Sequence, residues 1–177
     1  MGAQERAERL GILAVDLEAM YGQPDPSGAM FVSHVVHGDL LHLSGTVATQ
    51  DGAVFRPGIV GTNLTVEQAR EAARCACIES IRVIAFALGS LDRVVRMITL
   101  TGHVNSASDF IDQPRVINAA TELLVDVFGE AGLCARAALG CQGLAMNSSV
   151  ELVMAVQFDG GPVRSALSTP AARPDRK

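Results

Sequence analysis

The chain has 177 residues, of which 49% are hydrophobic and 19% charged, so it is long enough for one domain with a buried core. A net charge of -5 and an aromatic content of 4% supply neither a basic surface nor a stacking platform for nucleic acid. Its apolar stretches are far shorter than the roughly 20 residues that cross a bilayer, and its start does not resemble a signal peptide. We therefore expect a cytoplasmic protein that binds neither nucleic acid nor membranes.

The two ends of the chain differ in pattern from its body. Residues 4–10 predict a short helix, and the prolines and glycines of 21–28 exclude regular structure, so 1–28 is interpreted as an N-terminal extension. From Gly160 the sequence is rich in Pro, Ser and Arg and offers nothing to pack, which predicts a disordered tail over 160–177. The remainder indicates a single domain over 1–159.

Paired strands are predicted after the extension. Residues 29–36 and 40–48 flank a hairpin signal at 37–39. Asp51 and Gly52 mark a second tight turn, because this dipeptide is typical of turns with positive φ. These patterns favour antiparallel pairing in the first third of the domain.

Two amphipathic helices are predicted, with a strand between them. Thr65 and Gln68 have the spacing of a capping box, and the helix that they open ends at Gly89. Residues 91–105 are rich in β-branched side chains and predict a strand. A second helix follows over 112–132, with apolar residues at helical intervals.

The last segment, 134–156, is interpreted as a terminal hairpin around a short Asn-Ser-Ser turn. The order hairpin, helix, strand, helix, hairpin predicts an α+β fold, an antiparallel or mixed sheet with two helices on one face. Both faces of the last strand are apolar: Val150, Leu152, Met154 and Val156 on one, Val153 and Ala155 on the other. Two helices cover only one face, so we expect a closed symmetric oligomer to cover the second.

Cysteine and histidine spacing gives no metal-binding signature. The cysteines are Cys75, Cys77, Cys134 and Cys141, and the histidines are His34, His37, His42 and His103. Neither set has the close, same-face spacing of metal ligands, so reduced thiols and packed or surface imidazoles are expected. P-loop and dinucleotide-binding motifs are absent from the sequence, which predicts no cofactor.

Arg136 is unusual because it interrupts a run of small apolar residues. A guanidinium keeps its charge in proteins and needs an acceptor, ideally a carboxylate or phosphate taken in fork geometry. Its same-parity neighbours Cys134, Ala138 and Gly140 are small and leave room above it. Either Glu151 pairs with it as a structural salt bridge, or a small anionic ligand does.

Three segments together resemble the YjgF/RidA family, known as reactive intermediate deaminases and by the older label L-PSP endoribonuclease. They are "GDLLHLSGTVA", "VINAATELLVDVFGE" and "ARAALGCQGLAMNSSVEL", and the resemblance, closest to the longer subgroup, runs from about Phe31 to Phe158. It implies a chorismate-mutase-like fold assembled as a homotrimer, with clefts between subunits that hold small carboxylates. Family deaminases hydrolyse enamines and imines such as 2-aminoacrylate to a 2-oxo acid and ammonia.

The resemblance also implies roles for individual residues. Arg136 matches the arginine that grips the substrate carboxylate, and Glu151 matches the glutamate that orients the attacking water. Ser44 and Asn118 match the serine and asparagine of the pocket. Without the family, Ser44 is an ordinary strand-end serine, and Asn118 could belong to a solvated polar stripe on its helix.

The sequence departs from the deaminase pattern at several positions. Phe31 replaces a tyrosine, so a hydroxyl is missing from the pocket rim, and Ala138 replaces the pocket cysteine. Leu144 and Ala145 stand where Leu-Pro is usual. Three functions therefore stay open: an imine or enamine deaminase, a trimeric binder of small carboxylates without catalysis, and an endoribonuclease, which the acidic composition disfavours.

Overall fold

The computed structural model describes residues 1–22 and 31–165. The chain begins with two helices, α1 (Ala3–Arg9) and α2 (Leu17–Tyr21). α1 confirms the predicted short helix. α2 was not predicted: it has five residues, too few for a periodic signal, and it is capped by the Asp16 side chain, which accepts from the Ala19 amide at 3.0 Å. Residues 23–30, which hold most of the predicted connector, lie outside the described residues.

The predicted hairpins of the first third are confirmed. β1 (His34–His37) and β2 (Leu40–Leu43) pair antiparallel around Gly38, and β3 (Thr46–Val47) follows. A separate small hairpin joins β4 (Thr49–Gln50) to β5 (Ala53–Val54). Its turn residues Asp51 and Gly52 both have positive φ, 52° and 77°, as a type I′ turn requires.

Both predicted long helices are confirmed, the first of them with its predicted start signal. α3 (Val66–Leu88) opens on a complete capping box: the Gln68 amide donates to the Thr65 hydroxyl, and the Gln68 side chain accepts from the Thr65 amide. It ends at Gly89, whose φ is 77°. α4 (Gln113–Phe128) is shorter than the predicted 112–132, because a 3-10 turn takes over at Gly129–Gly132.

The terminal hairpin prediction is wrong. β6 (Val94–Asn105) lies between β7 (Ala135–Cys141) and β8 (Val150–Phe158), so the order of the main sheet is β1-β2-β8-β6-β7, with β3 also beside β8. β7 is parallel to β6, since α4 carries the chain back to the same end of the sheet before β7 starts. The chain also turns earlier than predicted: Met146 and Asn147 have φ of 54° and 57°, while Ser148 and Ser149 are buried.

The sheet has one covered and one open face. α3 packs on β8 and α4 on β6 and β7, so both long helices lie on one face, and the predicted α+β fold class is confirmed. Gly102 marks this face, because a Cβ there would overlap the Ile117 side chain of α4. Residues of opposite parity lie on the other face, where Leu139 is 47% exposed and Val153 37% exposed in the single chain.

A buried polar cluster fixes the N-terminal helices to α3. The Tyr21 hydroxyl donates to Glu79 Oε2 at 2.9 Å, and Arg82 Nη1 lies 2.6 Å from Glu79 Oε1. Arg82 also donates through Nε to the Ile12 carbonyl at 2.8 Å. Burial, and then the Glu79 carboxylate, raise the pKa of Tyr21 far above its ordinary value, so the phenol stays protonated and donates to Glu79.

Replacing Tyr21 with Phe should lower the free energy of unfolding by about 2 kcal/mol, because the buried Glu79 carboxylate loses a hydrogen-bond donor. For a chain of this length we expect the melting temperature to fall by roughly 4–8 °C in calorimetry. In a Glu79→Leu background the same substitution should cost much less, since the hydroxyl then has no charged partner. An equal loss in both backgrounds would assign the effect to packing instead.

The beginning of the predicted disordered tail is packed. The Arg164 amide donates to the Ala87 carbonyl at 2.8 Å, and the Arg164 carbonyl lies 2.9 Å from His34 Nε2. The Arg164 guanidinium stacks over Phe86 at 5.3 Å and pairs with Glu18 of α2 at 2.8 Å. The expectation that this segment has nothing to pack against therefore does not hold for 161–165. Residues 166–177 lie outside the described residues.

Candidate functional site

Arg136 is held by two side chains of α4. It is the second residue of the edge strand β7 and is the register partner of Leu100 on β6. Its Nη1 donates to Asn118 Oδ1 at 2.8 Å and to Thr121 Oγ1 at 3.1 Å. We call Arg136, Asn118 and Thr121 the guanidinium cluster.

The local fold explains how this cluster forms. Asn118 and Thr121 are three residues apart on α4, so their side chains share one face of the helix. The helix can approach the sheet closely because Gly102 has no side chain where Ile117 packs. Two acceptors are thereby placed over the start of β7.

The guanidinium cluster contains no negative charge. Its acceptors are an amide and a hydroxyl, and no carboxylate within the described ranges 1–22 and 31–165 forms an ion pair with Arg136. By contrast, Arg115 on the same helix pairs with Glu67 at 2.7 Å. Nη1 carries two hydrogens and makes two hydrogen bonds, both to neutral acceptors. These bonds hold the guanidinium in place and do not neutralise its charge.

Ala138 lies next to the cluster on the same face. It is two residues beyond Arg136 on β7 and is half-buried, opposite Gly102. Because its side chain is a single methyl group, it leaves space on this face of the sheet beside Arg136. At Gly140, two residues further along β7, a Cβ would lie 2.6 Å from the side-chain amide nitrogen of Gln113. The Gln113 side chain therefore bounds this space at its far end.

Glu151 belongs to a second cluster. It lies on β8, where its register partners are His103 of β6 and Val47 of β3. Its carboxylate rests against Gly45 so closely that a Cβ on Gly45 would overlap it. Burial, and then this carboxylate, raise the pKa of the Cys141 thiol, which therefore stays protonated at neutral pH. We call Glu151, Gly45 and Ser44 the carboxylate cluster.

Within the carboxylate cluster, Ser44 is anchored to the segment that begins at Phe31. The Ser44 hydroxyl donates to the Val32 carbonyl at 2.6 Å, so its proton is occupied and only its oxygen lone pairs are available to a ligand. Phe31 immediately precedes Val32 and is 56% exposed. An aromatic ring therefore stands at the surface close in sequence to the residue that anchors Ser44.

The guanidinium and carboxylate clusters lie on opposite faces of the sheet. Arg136 shares the helix face with Gly102, whereas Glu151 has the parity of the open face, and no bulge intervenes in this part of the ladder. Strand spacing and rise put their Cα atoms roughly 14 Å apart. Of the two alternatives for Arg136, a structural salt bridge to Glu151 within the chain is therefore wrong.

The sequence missed three residues of these clusters and their surroundings. Thr121 had one usable signal, its i+3 position relative to Asn118. Gly45 has no signal of its own in the sequence, although its missing side chain admits the Glu151 carboxylate. His103 becomes relevant only through the register of β6 with β8, which the hairpin prediction had wrong.

Residues 19–157 match the sequence model of the family described as "YjgF/chorismate mutase-like, putative endoribonuclease". The chain belongs to this family. It is 37% identical to protein TCP17 of Trypanosoma cruzi over 130 residues, which is 73% of this chain and 81% of the relative. The guanidinium and carboxylate clusters both fall inside the matched region.

Solved structures agree with the family fold. Protein Atu1372 of Agrobacterium tumefaciens is 33% identical, with a TM-score of 0.76 over 89% of this chain and 92% of that chain. A Shewanella oneidensis protein described as a "putative endoribonuclease" is 23% identical, with a TM-score of 0.79 over 89% of this chain and 100% of that chain. Within residues 1–22 and 31–165 of this YjgF-family chain, no helix combines the length and the hydropathy of a transmembrane span.

Proposed function

We propose that this protein is an enamine and imine deaminase that hydrolyses 2-aminoacrylate-type intermediates to 2-oxo acids and ammonia. The observation that carries the proposal is the guanidinium cluster, where Arg136 is fixed by neutral acceptors and keeps its charge for an anion. An arginine with a purely structural role usually has a carboxylate partner, as Arg70 has in Glu122 at 2.9 Å. Nε and Nη2 of Arg136 can donate to the two oxygens of a small carboxylate ligand.

The reaction needs little from the protein. A protonated 2-imino acid is electrophilic at its imine carbon, and Arg136 holds its carboxylate. Glu151 accepts a proton from water as the water oxygen bonds to that carbon, and returns the proton to nitrogen. As the C–N bond breaks, the hydroxyl left by the attacking water gives its proton to Glu151 and becomes the carbonyl oxygen of the 2-oxo acid. The leaving ammonia takes up that proton as ammonium, which returns Glu151 to its carboxylate form. Binding and orientation supply most of the rate enhancement.

Arg136 and Glu151 can act on one substrate only if they come from different copies of the chain. They lie on opposite faces of one sheet, and the open face carries exposed Leu139 and Val153. We therefore propose a homotrimer in which the edge strand β7 of one subunit faces the carboxylate cluster of the next. Light scattering should give three times the 18.5 kDa mass of the chain.

Arg136→Lys should weaken binding of 2-oxobutyrate by roughly ten-fold to a hundred-fold, because lysine keeps the charge but loses the fork. Titration calorimetry measures this affinity, and Arg136→Ala should abolish ammonia release from freshly generated 2-aminoacrylate. Thermal melts should barely change, since Arg136 is exposed and has no ion-pair partner among the described residues.

Arg56→Lys is the matched control for this experiment, because Arg56 is a half-exposed arginine that pairs with Glu71 at 2.7 Å and belongs to neither cluster. It should bind 2-oxobutyrate like the wild type. Binding of 2-oxobutyrate without ammonia release would identify a carboxylate binder that lacks catalysis, the outcome that Phe31 in place of a tyrosine favours. No binding to the wild type would refute both functions.

A further inference from the structure

We infer that Thr121 is a positioning residue that, with Asn118, turns the Nε–Nη2 edge of Arg136 toward the ligand carboxylate, so that the carboxylate binds side-on. The inference rests on the proposed function and goes further in naming the geometry of binding. Its starting point is the second hydrogen bond of Nη1, which runs to Thr121 Oγ1 at 3.1 Å.

Two acceptors fix a guanidinium where one would not. With Asn118 alone, the group could pivot about a single hydrogen bond of 2.8 Å. Asn118 and Thr121 both accept from Nη1, which has two hydrogens to donate, so two positions on the helix set the orientation of the planar group. That helix is rigidly seated, because its residues Ile117, Ala120 and Leu124 are fully buried.

The remaining donors define the binding edge. Nε carries one hydrogen and Nη2 carries two, and the Nε–H is parallel to one Nη2–H. This pair matches the two oxygens of a carboxylate, whereas the end-on pair is unusable because Nη1 is already engaged. Side-on binding of a small acid therefore follows from the position of Thr121, and the acid needs no contact with Thr121 itself.

Thr121→Val tests this role, since valine has nearly the same shape and lacks the acceptor oxygen. We expect about ten-fold weaker binding of 2-oxobutyrate in titration calorimetry on the full chain, and recovery to within about two-fold in Thr121→Ser. Melting temperatures should stay unchanged because Thr121 is half-exposed. Thr62→Val, an exposed threonine in the loop before α3, is the matched control.

The uncharged analogue 2-oxobutyramide separates positioning from general packing. It should bind more weakly than 2-oxobutyrate, because an amide makes no charge-assisted fork with Arg136. Its affinity should be the same for the wild type and for Thr121→Val. Wild-type affinity in Thr121→Val, or failure of Thr121→Ser to recover it, would overturn the inference while the proposed function stands. If the wild type binds no 2-oxo acid, the proposed function fails, and this inference fails with it.

Discussion

A refolded one-to-one mixture of Arg136→Ala and Glu151→Gln subunits should release ammonia at about a quarter of the wild-type rate, although each variant alone is inactive. In a ring of identical subunits, each cleft takes its guanidinium cluster from one copy and its carboxylate cluster from the next. Random mixing makes each cluster intact half of the time, so about one cleft in four is complete. The opposite-face placement of Arg136 and Glu151 leads directly to this result.

The control is a mixture of two variants that are both substituted in the guanidinium cluster. Arg136→Ala mixed with Asn118→Ala should show no recovery, because both residues of a cleft come from one subunit. Recovery by the first mixture and not the second would establish that the site is shared between copies. A silent first mixture, beside an active wild type treated identically, would mean that both clusters of one site belong to one chain.

Gly45→Ala should reduce ammonia release about a hundred-fold or more, the usual contribution of a positioned general base. A Cβ at this position would overlap the Glu151 carboxylate, which must then move away from where it would hold water. Gly45 is exposed and needs no positive φ, so alanine should leave the fold intact in thermal melts. The rate of ammonia release from 2-aminoacrylate measures the effect, while affinity for 2-oxobutyrate should change little.

A double-mutant cycle tests whether Gly45 acts through Glu151. In a Glu151→Ala background the carboxylate is gone, so Gly45→Ala should cause no further loss of ammonia release. Additive losses in the double variant would contradict the proposed contact. Glu151→Gln is a useful comparison because it keeps the steric conflict while removing the base.

Local signals in the sequence were sufficient for α1, the two long helices and the first hairpins, although not for the five-residue α2. The capping box at Thr65 and Gln68 and the positive-φ turn at Asp51 and Gly52 act over three or four residues, and each was found where it was predicted. Strand order is different, because it depends on which segments meet after the chain has returned through α4. An apolar run around a turn predicts pairing of its two halves, yet β6 lies between β7 and β8.

The candidate site shows the same division between local and long-range information. The family resemblance pointed to Arg136, Asn118 and Glu151 individually, and the structure joins the first two by a hydrogen bond of 2.8 Å. It could not indicate that Glu151 faces the other way, because that depends on strand parity across a ladder of three strands. Gly45 was beyond sequence reasoning, since its contribution is the space left by a missing side chain.

The contacts of Arg164 link two segments that are distant in sequence. Its guanidinium binds Glu18 of α2 and lies over the Phe86 ring, while Tyr21 of α2 packs against the same ring at a tilt, with centroids 5.9 Å apart. Release of either segment therefore exposes Phe86 and removes contacts of the other. Because of this mutual dependence, α2 and residues 161–165 form one cooperative unit of local unfolding. The Arg164 amide is hydrogen-bonded within this unit, so its hydrogen exchange reports on the docking of the N-terminal helices.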